Sequence, residues 1–413
     1  MKVCVALEQR FYGTPDGAVW TDGPCARPFW DRYLEVFDEV QAIARVRPVE
    51  EAPAGVVRAD GDGVAFSPVT YYVGPRDYLR KAIAVRKSVV NGAGPSDGIM
   101  LRVPSNLASV LVPTLVRRGQ PFAVEVVGDP YDAFSPGAVK HPLRPFLRRW
   151  FARELRQHCR QAFAAAYVTA EALQRRYPVG PNGRSFYFSD VQLSGLTAKN
   201  PRPAAQKTSW KLITVGSLEH LYKAQDVQVD AIARCRQLGL DVELILVGDG
   251  QHRSDLAERA AQLGIASHVH FRGQLASGEP IRDELDRADL FLLPSRQEGL
   301  PRAMIEAMAR ALPCIGSTVG GIPELLPSED MVPPGDADAL ARKISEIVSD
   351  PQRMQRMSAR NLERAGDFQE DVLRERRIEF YRYVRERTED WLAQTRSPSL
   401  VTANLQKQTN LPA

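Results

Sequence analysis

Short apolar runs alternate with longer amphipathic stretches along the whole chain, the pattern of an α/β protein built on parallel sheets. In the first half it predicts strands near 2–7, 98–102, 122–127 and 166–169, and helices near 29–44, 76–90, 104–118, 142–163 and 170–177. The turn residues Asp60 to Gly63 predict a hairpin. In the second half KLITVG (211–216), ELILVG (243–248), HVHF, DLFLLP (289–294) and PCIGST read as strands. Helices are expected from about 224, across 251–263, near 280–287 and from about Leu300, and the chain is mostly helical after 336. This is a doubly wound order, in which ligands bind at the carboxyl ends of strands and at helix N-termini. Between the halves, LTAKNPRPAAQKTS (196–209) is polar and aperiodic and reads as a linker. With 413 residues the chain exceeds what one core supports. Two Rossmann-like units are therefore expected at 1–200 and 201–370, followed by a helix at 371–395 that returns to the first unit and a tail at 396–413.

Composition narrows the class. The chain is 44% hydrophobic and 25% charged, and no apolar run approaches the ~18 residues of a membrane span. MKVCVALEQRF reads as a first strand rather than a secretion signal, which makes the cytoplasm the expected location. Cys4, Cys25, Cys159, Cys235 and Cys314 are scattered, without a C-x-x-C pair or a His cluster, so neither a disulfide framework nor a metal site is expected. The net charge of +4 hides an asymmetry: residues 1–200 hold 26 Lys and Arg against 19 Asp and Glu, and the remainder 28 against 31. The densest part is VKHPLRPFLRRWFARELRQHCR, with Arg144, Arg148, Arg149, Trp150 and Arg153 as candidate surface contacts. Such a helix either packs its apolar stripe on its own domain or docks on an anionic membrane surface, here the inner face of the plasma membrane. No nucleic-acid recognition motif accompanies the charge.

The stretch SRQEGLPRAMIEAMARALPC (295–314) carries the most chemistry. Glu306 stands among Met304, Ile305, Ala307 and Met308, and a carboxylate in apolar surroundings needs a partner. Pro301 suits a first helical turn, which leaves the amides of Gly299 and Leu300 pointing out of a helix start, where an anion is stabilised. Glu306 stands eight positions after Glu298, roughly 12 Å at the helical rise. That span fits one glutamate on each side of a diphosphate, each accepting hydrogen bonds from sugar hydroxyls, and implies a nucleotide sugar. Neither G-x-G-x-x-G after a strand nor a P-loop occurs, which demotes a dinucleotide oxidoreductase and an ATPase. Asp60-Gly61-Asp62 reads as turn chemistry before it reads as a metal-diphosphate motif.

EGLPRAMIEAM, the downstream VGGIPEL, and the upstream VGSLEHLYKAQD and LILVGDG together resemble the retaining glycosyltransferases of GT-B fold that include glycogen synthases, sucrose synthases and bacterial cell-surface sugar transferases. The resemblance spans about residues 211–326. It implies two Rossmann-like domains facing across a cleft and metal-independent transfer of a hexose from a UDP- or GDP-sugar, with no cofactor. By position it implies that Lys223 neutralises the donor diphosphate, that Glu306 binds the ribose, and that Glu298 faces the transferred sugar. Gly216, Ser217, Gly299 and Leu300 would line the phosphates, and main-chain atoms of Phe271 and Arg272 would contact the base. Bland alternatives stand beside these roles: a surface lysine, a solvent-facing Glu306, a helix-capping Glu298. Ser217 replaces the arginine usual after the first strand's glycine, and Arg302 is expected to substitute for it. In the first half, Asp129 falls where relatives carry an acceptor-facing His or Asp, or else caps a turn before Pro130. Gly13 and Gly17 stand in for an absent glycine pair. The expected acceptor is a saccharide, lipid-linked at the membrane; a soluble small-molecule acceptor, or a noncatalytic nucleotide-sugar-binding protein, is the alternative.

Overall fold

The computed structural model describes residues 1–134, 142–193, 197, 200–276 and 278–396. Among them, nine strands form a first sheet: β1 (Lys2–Gly13), β2 (Val19–Thr21), β3 (Glu39–Pro48), β4 (Val57–Arg58), β5 (Val64–Val69), β6 (Gly98–Val103), β7 (Ala123–Val126), β8 (Ala164–Tyr167) and β9 (Arg184–Tyr187). The order β5-β3-β1-β6-β7-β8-β9 is parallel throughout, and β2 and β4 add an antiparallel flap to the far end of β1. Counting only the parallel strands in chain order gives 3-2-1-4-5-6-7. The direction of winding therefore reverses between β1 and β6, the point where such sheets open a crevice.

Six helices accompany this sheet: α1 (Arg27–Leu34), α2 (Gly74–Asn91), α3 (Asn106–Arg118), α4 (Pro130–Ala133), α5 (Arg144–Gln161) and α6 (Ala172–Arg176). Successive residues of β1 serve opposite cores. Val3, Val5 and Leu7 pack with Trp30 and Tyr33 on one face, while Cys4 and Ala6 pack under α2, α3 and α5 through Val89, Leu111 and Leu155 on the other. Two expectations fail here. The helix expected over 29–44 is α1 followed by β3, because Val40, Ala42, Ile43 and Ala44 are buried on both sides of an inner strand. A run of that kind has no period to separate strand from buried helix. The turn at Asp60–Gly63 exists, closed by a Gly61–Val64 bridge, but its flanking strands pair elsewhere, β4 with β2 and β5 with β3. Gly13 and Gly17 belong to the turn that joins β1 to β2, not to a phosphate loop.

The second sheet holds β10 (Ser209–Val215), β11 (Asp241–Val247), β12 (Val269–Gly273), β13 (Leu290–Leu293), β14 (Cys314–Ser317) and β15 (Met331–Val332), all parallel, in the order β12-β11-β10-β13-β14-β15. In chain order this is 3-2-1-4-5-6, with its crevice between β10 and β13. The helices are α7 (Gln225–Gln237), α8 (Arg253–Gln262), α9 (Glu279–Arg287), α10 (Arg302–Ala309), α11 (Ala337–Val348), α12 (Pro351–Ala365) and α13 (Glu370–Arg396). The chain is thus an α/β protein with two Rossmann-like, doubly wound domains. The tail beyond 396, part of the expected linker and Lys140 lie outside the described residues.

α13 packs on the first sheet. Tyr381 stacks on Tyr33 with centroids 4.7 Å apart and donates to Glu125 Oε1 at 3.2 Å. Glu125 also pairs with Arg102, which shares Asp190 with Arg32. Burial alone would raise the Asp190 carboxyl, but Arg102 and Arg32 outweigh it and hold it well below the usual carboxylate range. All five cysteines are free and buried, and no helix among the described residues is long and apolar enough to cross a membrane.

Candidate active site

At the β10/β13 crevice the chain leaves β10 through Gly216 and Ser217, makes a 3-10 turn at Leu221–Lys223, and returns after β13 through Ser295 to Pro301 into α10. Lys223 Nζ lies 3.2 Å from Glu298 Oε1. Gly216 permits this, since a Cβ there would fall 2.2 Å from Lys223 Cδ, where the lysine stem crosses the backbone. Ser295, fully buried, donates to the same Glu298 oxygen at 2.8 Å, and its carbonyl accepts from Ser317 Oγ at 2.7 Å. Arg296 grips Asp226 with both terminal nitrogens at 2.7 and 2.8 Å and donates to Leu221 O, tying the 3-10 turn to the glutamate loop.

α10 begins at Arg302, two residues later than expected. Pro301 is its N-cap and supplies no side-chain cap, so Glu298 is not a capping residue. Gly299 and Leu300 belong to the loop, and the loop is pinned by Gly321, whose N–H donates to Gly299 O at 2.7 Å. On α10, Met304, Ile305 and Met308 are fully buried while Glu306 is half-buried on the crevice side. Burial pushes its carboxyl up, opposed by the charges of Arg302 and Lys223. The partners that a carboxylate in this helix requires are therefore two cations at the crevice, one of them shared with Glu298.

The crevice faces the first domain. A Cβ on Gly299 would sit 3.2 Å from Val127 O, at the end of β7. Glu324, after β14, accepts the N–H groups of Ala170, Glu171 and Ala172 at 2.6, 3.1 and 2.7 Å, at the start of α6. One carboxylate of the second domain thus caps a helix of the first.

Comparison with known proteins accords with this geometry. A sequence profile described as "Glycosyl transferases group 1" matches residues 210–350. Protein CapJ of Staphylococcus aureus is 27% identical over 321 residues, 77% of this chain and 80% of its own. The putative colanic acid biosynthesis glycosyltransferase WcaL of Escherichia coli K12 is 32% identical over 160 residues, 36% of this chain and 39% of its own. Among solved structures, sucrose-phosphate synthase of Thermosynechococcus elongatus superposes with a TM-score of 0.67 at 19% identity, covering 92% of this chain and 99% of that one. Anabaena HepE in complex with UDP-glucose gives 0.62 at 16%, covering 95% and 100%. WaaG, a glycosyltransferase involved in lipopolysaccharide biosynthesis, gives 0.62 at 15%, covering 92% and 99%. Residues 210–350 thus match the group 1 glycosyltransferases, and the fold is that of these GT-B structures.

The remaining candidates are placed as follows. Ser217 is exposed and its hydroxyl accepts from Glu219 N at 3.1 Å, so it supplies a turn and no cation. Arg302 is exposed at the rim, near Glu306. Phe271 and Arg272 lie on β12, the edge strand; Arg253 stacks on the Phe271 ring at 5.5 Å and Arg272 pairs with Glu284 at 3.1 Å. They approach the crevice loops through Gly248, whose N–H donates to Gly273 O at 2.8 Å and where a Cβ would fall 2.1 Å from Gly216 O. Asp129 is 3% exposed and accepts from Tyr131 N at 2.8 Å. Its carboxylate thus caps α4, the alternative the sequence offered, and is engaged by Arg176 and Tyr177.

The cationic helix is α5, and its five candidates divide. Arg144 donates to Phe134 O at 3.2 Å, and Arg148 lies over the Tyr131 ring at 3.6 Å and donates to Tyr131 O, so both face inward. Arg149, Trp150 and Arg153 face outward beside Phe146; Trp150 is 56% and Phe146 59% exposed. The Asp60 triplet is turn chemistry: Asp60 accepts from Val19 N and pairs with Arg58. Sequence reasoning missed Ser295, whose partner Glu298 is three positions away, and Arg296 and Glu324, whose partners lie 70 to 154 positions away and leave no local signal.

Proposed function

We propose that this enzyme moves a hexosyl group from a UDP- or GDP-sugar to a hydroxyl of a lipid-linked saccharide, with retained anomeric configuration, in the assembly of a cell-surface polysaccharide. The observation that carries the reading is the Lys223–Glu298 pair at the β10/β13 crevice with Glu306 beside it. The nucleotide sugar is supported by UDP-glucose in HepE, and the pathway by the roles named for WcaL and WaaG. In this reading Lys223 exchanges Glu298 for the donor diphosphate, with Arg302 as the second cation. Gly216, Ser217, Gly299 and Leu300 lie along the phosphates, Glu306 holds the ribose, and the main chain of Phe271 and Arg272 meets the base. Glu298 accepts from hydroxyls of the transferred hexose. The bond from the anomeric carbon to the diphosphate breaks, the acceptor oxygen attacks from the same face, and its proton passes to the departing phosphate oxygen. Lys223 stabilises the charge that develops on that leaving group. We divide the chain near residue 200, with α13 as the return helix. Arg149, Trp150 and Arg153 rest on anionic lipid at the inner membrane face.

A panel of UDP- and GDP-hexoses, offered with a bacterial lipid extract, tests this through nucleoside diphosphate release and NMR of the product's anomeric coupling. One donor should be consumed with retention, and Lys223→Ala should lower kcat/KM by about 10²–10³-fold. A wild-type enzyme that binds and consumes none of the panel contradicts the proposal.

A further inference from the structure

The first domain has its own switch-point crevice, between β1 and β6, and it holds a cavity of about 390 Å³ that no role above requires. That volume lies within the range of small-ligand sites. Its walls are apolar: Pro104 after β6, Leu155 on α5, and Phe134 stacked on Phe151 with centroids 5.4 Å apart and planes 11° from parallel. Gln297, the residue before Glu298, also lines it, so in the proposed reading the cavity lies next to the transferred sugar.

The polar groups around it are already engaged. Glu8 accepts from Arg45 at 2.7 Å, Leu107 N at 3.0 Å and Ser105 Oγ at 3.2 Å, and Asp129 is held by Arg176 and Tyr177. Glu154 is pushed up by burial, with Ser109 hydrogen-bonded to it. A bare saccharide, which needs many partners, would find few here. Two polar side chains are different, Gln297, whose Oε1 is buried without a hydrogen-bond partner, and His158. His158 lines the cavity, is 5% exposed, and among the described residues its imidazole has no hydrogen-bond partner. Burial pushes it down to about 4, so at neutral pH it offers one donor and one acceptor without charge. An unpaired imidazole in an apolar cavity is costly unless a ligand atom meets it.

We infer that this cavity seats the apolar moiety of the acceptor, a ring or chain directly attached to the sugar, with an oxygen at the linkage hydrogen-bonded to His158. The inference rests on the glycosyltransfer reading for its orientation toward Glu298, but the cavity's preference is measured by binding alone.

Calorimetry of the full chain with n-octyl β-glucoside below its micellar concentration, and separately with glucose, provides the test. The octyl glucoside should bind and glucose at the same concentration should not. Ala133→Trp, which fills the cavity from α4, and His158→Phe should each weaken octyl glucoside by about 10-fold or more. Both should leave nucleoside diphosphate affinity unchanged, which also reports that they fold. If Ala133→Trp does not fold, Ser109→Leu replaces it from the α3 side. Equal binding of glucose, or octyl glucoside affinity that survives the filled cavity or falls only with Trp150→Ser on the outer face of α5, overturns the inference. Absence of nucleoside diphosphate binding in the wild type would sink the donor reading and leave this one standing.

Discussion

Glu306 is a half-buried carboxylate whose ionised form two cations support against burial. As a ribose acceptor it must be ionised, so donor affinity should fall as pH drops through its raised pKa. The acid limb of kcat/KM for donor should therefore lie above the ordinary value of 4.5, and Glu306→Gln should abolish that limb along with about 10-fold or more of the affinity. A limb unchanged in Glu306→Gln would assign the titration elsewhere. Gly216 shows how little room surrounds Lys223: Gly216→Ala should force the lysine stem aside and raise donor KM, whereas a Cβ at Gly239 meets nothing. At this scale the sequence was informative where quoted motifs meet, as Lys223 of one and Glu298 and Glu306 of another do. It was silent on Arg296, whose partners Asp226 and Leu221 are set by the sheet order rather than by spacing.

The elements read best where one face was polar. α5 and α9 have clear helical periods, and the strands β10, β11 and β13 are short apolar runs closed by turn residues. β3 was misread because both of its faces are buried, and α10 starts late because Pro301 caps it rather than entering it. α5 also separates its arginines by orientation, which a helical wheel alone could not assign to inside or outside. Arg149→Glu with Arg153→Glu should remove salt-sensitive sedimentation with anionic vesicles, at about 1 kcal/mol per charge, and Arg148→Glu should instead lower stability. Vesicle binding that ignores the outward pair would free α5 of this role.

Among the contacts that join distant parts of the chain, two hold the return helix and the cleft. Tyr381 fixes α13 on the first domain through Tyr33 and Glu125; Tyr381→Ala should cost about 3–5 kcal/mol in urea melts. The Asp190 network beneath it has a folded-state pKa below the usual 3.8. Its stabilisation is complete above that value and is lost as pH falls below it. The gap between wild type and Asp190→Asn, about 3 kcal/mol at pH 7, should accordingly start to narrow as pH falls below 3.8 and close only once pH passes the lowered folded-state value. A gap that stays constant would remove the ion pairs as its cause. Glu324 fixes the cleft by capping α6 across it, a contact that no sequence pattern announces.

The central claim is that the donor lies between Glu306 at its ribose and Glu298 at its hexose. Calorimetry on Glu298→Gln and Glu306→Gln, each titrated with the nucleoside diphosphate and with its hexose ester, addresses it directly. Glu306→Gln should weaken both ligands alike, by about 10-fold or more, while Glu298→Gln should weaken only the ester and leave the diphosphate equal or tighter, since Lys223 is then released. Equal losses for both ligands in both variants, or none in either, would contradict it.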